Sequence, residues 1–149
     1  MTHPDADLMR RAIDLGRGET GSEAVAALVV ADGEVVARSR GAIFDRPDAT
    51  AHSEVEAIRA ACRALDRVHL DGCWLYTTHE PCPMCAAACC WARLDGIVSA
   101  ATDADMPDAW GTIFAGTPAG EIVAAATHRP ALHEEFLRDE AASLHDHRD

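Results

Sequence analysis

The chain has 149 residues, 48% of them apolar, and a formal charge of −12 at neutral pH. That length suits one domain of the common size of about 100 to 150 residues, and the apolar share excludes general disorder. The acidic balance repels phosphate backbones, and the basic residues, thirteen Arg and no Lys, are scattered rather than gathered into a patch for nucleic acid.

The opening MTHPDADLMRR lacks the apolar core of a signal peptide, and no apolar run approaches the roughly 18 residues of a membrane span. With six Cys, the reading is a soluble protein of the reducing cytoplasm rather than a disulfide framework. Asn and Gln are absent, so no side-chain amide is available to read a polar ligand.

Residues 5–17 place Leu8, Met9, Ala12, Ile13 and Leu15 at mostly helical spacing, which predicts a surface helix with one buried face. After glycines at 16, 18 and 21, residues 24–31 form a short apolar run. Asp32-Gly33 then turns the chain into 34–37, which reads as a tight hairpin. Residues 38–49 are a polar connection leading to a second helix. There Ala51, Val55, Ile58, Cys62 and Leu65 step by four and three along one stripe.

Residues 73–78, CWLYTT, predict a buried strand. Next comes EPCPMCAAACCWARL, a nearly all-apolar helix opened by Pro83 and ended by Asp95-Gly96. Residues 96–101 predict a further strand. Two strand-helix-strand passages imply parallel neighbours with helices on the sheet, and a ligand site beyond the strands' carboxyl ends. Residues 103–120 read as a loop or broken helix, 121–126 as a last strand, and 130–144 as an amphipathic helix followed by a frayed HDHRD end.

Cys82 and Cys85 would project from the first turn of their helix, where the partial positive charge favours thiolate. A lone Cys-x-x-Cys also fits redox pairs and zinc knuckles. The addition of Ala51-His52-Ser53-Glu54, opening the preceding helix, changes the weighing. His52, through Nδ1 or Nε2, and two thiolates leave a fourth zinc position for water, the open coordination of a catalytic site. Glu54 can then act without binding metal, as a general acid and base beside that water. Cys62, Cys73, Cys89 and Cys90 are read as packing residues, since buried free Cys behaves as a small hydrophobe.

His-x-Glu with Pro-Cys-x-x-Cys is the signature of zinc nucleobase deaminases. The stretches TAHSEVEAIRAAC, LYTTHEPCPMC and WARLDGIV resemble the cytidine deaminase-like superfamily, most closely its bacterial guanine deaminase and tRNA adenosine deaminase branch. The resemblance runs from about residue 8 to 101. It implies an α/β fold, a three-layer α-β-α arrangement with a five-stranded mixed sheet. Residues 1–149 would form a single zinc-dependent deaminase domain that binds one Zn2+ per subunit and forms a homodimer. It also implies metal ligation by His52, Cys82 and Cys85, proton relay by Glu54, a backbone substrate contact at Ser53 and a base-pocket role for Trp91. His79 and Asp105 are further candidates for substrate contact.

There are two departures. The branch places an Asn eleven residues before the zinc His, and here that position is Gly41; a Pro-Phe-Gly-Ala run on the first strand is replaced by Ala24-Val25-Ala26-Ala27. The expected reaction is hydrolytic deamination of a free aminated base in purine metabolism, guanine or a guanine-like purine. A pyrimidine, nucleoside, pterin or triazine is the alternative substrate. Editing of tRNA adenosine is disfavoured by the acidic charge and the missing Lys. A non-catalytic zinc-stabilised interaction domain would leave Glu54 and the open position without a use.

Overall fold

A computed structural model describes residues 2–106, 114 and 116–145. Five strands, β1 (Ala26–Ala31), β2 (Glu34–Arg40), β3 (Cys73–His79), β4 (Gly96–Ala101) and β5 (Ala131–His133), form one mixed sheet in the order β2-β1-β3-β4-β5. The hairpin is as expected. Asp32 and Gly33 both take positive φ, 50° and 79°, the requirement of the two-residue turn whose twist suits paired strands.

β1 lies antiparallel to both β2 and β3, while β3, β4 and β5 run parallel. The helix α2 (Ser53–Leu65) therefore connects two strands that are parallel but separated by β1. Only α3 (Pro83–Trp91) makes a crossover between adjacent parallel strands, β3 to β4. The expectation that both passages join neighbours holds for the second alone.

Strand alternation divides the core into two layers. Leu28, Val30, Tyr76, Val98 and Ala100 face α1 (Ala6–Gly16) and Ala141 of α5 (Arg138–Ala142). Ala27, Val29, Cys73, Leu75 and Ile97 face α2, α3 and Val123 of α4 (Ala119–Ala125). Helices thus cover both faces of the five-stranded sheet, the α/β arrangement expected.

The sequence stripe on α2 is not its most buried face. Ser53, Ala57 and Ala61 are buried, whereas Ile58, Cys62 and Leu65 are half-buried beside them. Small side chains let the helix backbone approach the sheet closely and leave the larger apolar residues on its flank. Cys73 and Cys89 are fully buried, while Cys62 and Cys90 pack at the margin of the same layer.

The C-terminal third departs further from expectation. Residues 121–126 fall in α4 and its cap rather than in a strand, and β5 occupies part of the region expected as one long helix. What remains helical there is α5 and a short 3-10 turn over Ser143–His145. The expectation for 107–113 and 146–149 lies outside the described residues.

Candidate metal centre

Both ligand-bearing helices open without a capping side chain. His52 is the N-cap of α2 and Cys82 the N-cap of α3, each in extended conformation and neither bonding its own helix N–H groups. Ser, Thr, Asp or Asn at those positions would close the helix on itself. The residues present here turn instead toward each other, with Pro83 fixing the first turn of α3 and Cys85 one step further on.

His52 Nδ1 stands 3.6 Å from Cys82 Sγ and 3.5 Å from Cys85 Sγ. All three donor atoms lie within 4.8 Å of one another. A tetrahedral zinc ion with Zn–N near 2.05 Å and Zn–S near 2.3 Å requires N···S separations of about 3.6 Å. The donor set and its spacing therefore fit zinc, and they select Nδ1 as the imidazole ligand atom. Three protein ligands leave the fourth tetrahedral position open.

The charges are arranged to suit. A hydrogen bond from the Cys85 thiol, joined by His52, holds Cys82 down to about 4, whereas Cys85 is pushed up by its bond to Cys82, by burial and by the adjacent Glu54 carboxylate. The hydrogen bond to Cys82 raises His52 against the effect of burial.

Glu54 is 4% exposed and sits in the first turn of α2, on the same short segment as His52. Its Oε1 accepts a hydrogen bond from Thr77 Oγ1 at 2.6 Å. Thr77 escaped the sequence reading. The available signal was strand phase: on β3 it alternates with Cys73 and Leu75, so a hydroxyl falls on the face packed against α2.

The expected substrate contacts are dispersed. Ser53, between His52 and Glu54 in sequence, is buried, and its Oγ finds no partner among the described residues. His79, 5% exposed, bonds Thr78 Oγ1 through Nδ1 at 2.9 Å and meets His145 Nε2 through its own Nε2; burial first, then His145, lowers its pKa to about 3. Asp105 is engaged by Arg138 at 2.8 and 3.2 Å and caps the turn at Thr102, and the Arg138 bond holds its carboxyl below the ordinary range. Trp91 is 82% exposed at the last residue of α3, six residues beyond Cys85 and so about 9 Å further along the helix. Within one chain it stands on the outer surface at the end opposite the cysteines. Gly41 begins the connection into α2, its N–H bonded to Val25 O at 3.1 Å.

Residues 2–101 match the family described as the cytidine and deoxycytidylate deaminase zinc-binding region. The chain is 45% identical over 83 residues to the guanine deaminase of Bacillus subtilis (strain 168), covering 56% of this chain and 53% of that one. It is 39% identical over 85 residues to the tRNA-specific adenosine deaminase of Aquifex aeolicus (strain VF5), covering 57% and 56%. The chain thus spans about half the length of these curated relatives.

Among solved structures, one from a study of A-to-I editing by tRNA:A34 deaminases superposes with a TM-score of 0.77 at 30% identity, covering 94% of this chain and 99% of the other. A variant of the protein NE0047 in complex with 8-azaguanine gives 0.78 at 27%, covering 92% and 79%. The matched segment contains His52, Glu54, Cys82 and Cys85, and two-thirds of the sequence lies within it: the chain belongs to the cytidine and deoxycytidylate deaminase zinc-binding family.

Proposed function

We propose that residues 1–149 form one domain that hydrolytically deaminates a free aminated heterocyclic base, guanine or a guanine-like purine. Water replaces the exocyclic amine, and ammonia leaves. The observation that carries this reading is the placement of Glu54 beside a His52-Cys82-Cys85 cluster whose spacing fits zinc with one position open.

Zinc, when bound, acidifies a water at its open position to a pKa of roughly 7. His52 Nδ1 and the two sulfurs hold the ion. Glu54 takes the proton as the C–O bond forms, delivers it to the ring nitrogen, and then supports its passage to the amine as the C–N bond breaks. One carboxylate in this double role is worth about 10² to 10⁴ in rate. Of the contacts expected from sequence, Ser53 opens α2 between His52 and Glu54, and its backbone there is the candidate substrate contact.

Support for a free base comes from the guanine deaminase relative and from the neighbour bound to 8-azaguanine. The tRNA adenosine deaminases are equally close and sustain a second reading. The net charge of −12 and the absence of Lys weigh against capture of a polyanion. A homodimer through the outer flank of α2 and α3 would cover exposed Trp91 and Val68 and half-buried Ile58, Leu65 and Cys90. A cytoplasmic setting agrees with six free cysteines, and no helix among the described residues is long and apolar enough to cross a membrane.

The test is ammonia release by zinc-loaded protein from guanine, 2,6-diaminopurine, cytosine, their nucleosides, a pterin, an aminotriazine and a tRNA anticodon stem. Release from a guanine-like base, with Glu54→Gln keeping its zinc and losing at least about 100-fold in turnover, supports the reading. Release from the tRNA stem alone overturns the substrate, and full activity of Glu54→Gln overturns the role of Glu54.

A further inference from the structure

Thr77 is fully buried near the end of β3, and its backbone is paired on both sides, with Ala27 of β1 and Ser99 of β4. Its side chain shares the strand phase of Cys73 and Leu75, which pack in the apolar layer beneath α2 and α3. A hydroxyl in that phase is costly unless it has a partner. Two acceptors lie within reach, Glu54 Oε1 at 2.6 Å and His79 O at 3.2 Å. The single hydroxyl hydrogen goes to the nearer one, at a separation of 2.6 Å on the short side of O–H···O bonds.

We infer that Thr77 is a positioning residue for the proton relay: its hydroxyl anchors Oε1 of Glu54 and leaves Oε2 to exchange protons with water, ring nitrogen and leaving amine. This inference rests on the deaminase reading and adds to it a specific division of labour between the two carboxylate oxygens. Oε1 accepts from Thr77 whether Oε2 is bare or protonated, so the anchor persists through the cycle and the Thr77 proton stays on Oγ1. Threonine suits the task better than serine, since two heavy atoms on Cβ restrict χ1 and the strand ladders already fix the backbone. Glu54, by contrast, has three side-chain torsions and sits in the first turn of α2. The Cys85 thiol also bonds the Glu54 carboxylate, but a thiolate that ligates zinc has no proton to donate, which leaves the Thr77 hydroxyl to set the carboxylate plane.

The test compares zinc-loaded wild type with Thr77→Val, which keeps the shape and removes the donor, and Thr77→Ser, which keeps the donor. Each is measured for zinc content, for kcat and KM on the best substrate from the screen, and for Glu54 conformation by crystallography. The expected result for Thr77→Val is one zinc per chain, KM within about threefold of wild type and kcat lowered about tenfold or more, the pattern of an interaction used in the transition state. The Glu54 carboxylate should leave its wild-type position. Thr77→Ser should recover most of kcat and the wild-type Glu54 rotamer. Should Thr77→Val not fold, Thr77→Cys, similar in size and a weak donor, takes its place with the same expectation. Unchanged kcat with Glu54 unmoved, or a loss confined to KM, overturns the inference. Wild-type protein inactive on every substrate, with Glu54 displaced in Thr77→Val, overturns the deaminase reading and leaves the anchor standing.

Discussion

Replacing His79 by Leu should flatten the acid side of the stability curve. His79 is 5% exposed, and its imidazole faces Thr78 and His145, with Asp105 among the groups that favour its charge. Burial and His145 outweigh Asp105 and bring it from 6.5 to about 3 in the folded protein. A histidine with a lowered folded pKa is neutral in the native state at a pH where the unfolded chain already carries its proton. Between about 6.5 and 3 the unfolded state therefore holds one more proton, and stability falls as pH falls by about 1.4 kcal/mol per pH unit. Integrated from pH 7 to pH 5, this amounts to about 2 kcal/mol from His79 alone. The assay is denaturant unfolding of zinc-loaded wild type and His79→Leu at both pH values. Other titrating groups, including the metal ligands, contribute to both proteins and largely cancel in the difference. The expected outcome is that wild type loses about 2 kcal/mol more than the variant over this range. Parallel curves would show that His79 takes up its proton without cost, and the argument from burial would fail.

Three further outcomes follow from the geometry. Loading the metal-free protein with zinc at pH 7 should release at least one proton per zinc, because the Cys85 thiol is held protonated by Cys82, burial and Glu54, while the ligand is a thiolate. Calorimetry in two buffers of different ionisation enthalpy reads this directly, and zero release refutes it. Affinity should fall with pH, as the raised His52 also takes up its proton. Gly96→Ala should destabilise by about 1 to 3 kcal/mol in denaturant unfolding, the cost of overpacking. Its Cβ would lie 2.3 Å from Trp74 Cζ3, on a ring already stacked against His3 at 4.1 Å, and unchanged stability would show that the indole can move aside freely.

The parts of the chain that were legible in sequence are those where spacing and chemistry agree. The hairpin at Asp32-Gly33, the strand at 73–78 and the His52, Cys82 and Cys85 set each carry a local signature whose physical reason survives in the fold. The parts that misled are those where tertiary packing decides. On α2 the larger apolar residues form the obvious stripe, yet Ala57 and Ala61 take the sheet because close approach favours small side chains. Residues 121–126 contain Ile-Val and then three Ala, a pattern too short for periodicity to separate a one- to two-turn helix from a strand. β5 has only three residues, none fully buried, and its pairing with β4 through Ile97 and Leu132 has no signature in a single sequence. Thr77 was overlooked because a threonine in a strand is unremarkable until its partner is known.

The site depends on register as much as on residue type. β3 is the middle strand of the order β2-β1-β3-β4-β5, and its carboxyl end leads through Glu80 and Pro81 directly to Cys82. The same strand therefore presents Thr77 to Glu54 and delivers both cysteines to His52. Because the side-chain period of a strand is two, a slip of one residue would turn Thr77 to the opposite face and draw Cys82 back by about 3.3 Å. Such a shift is nearly as large as the 3.6 Å between Cys82 Sγ and His52 Nδ1. Pairing on both edges, to β1 through Ala27 and to β4 through Ser99, prevents it. The deep burial of β3 is thus what holds the sulfurs at distances fit for one metal ion, with the carboxylate beside them.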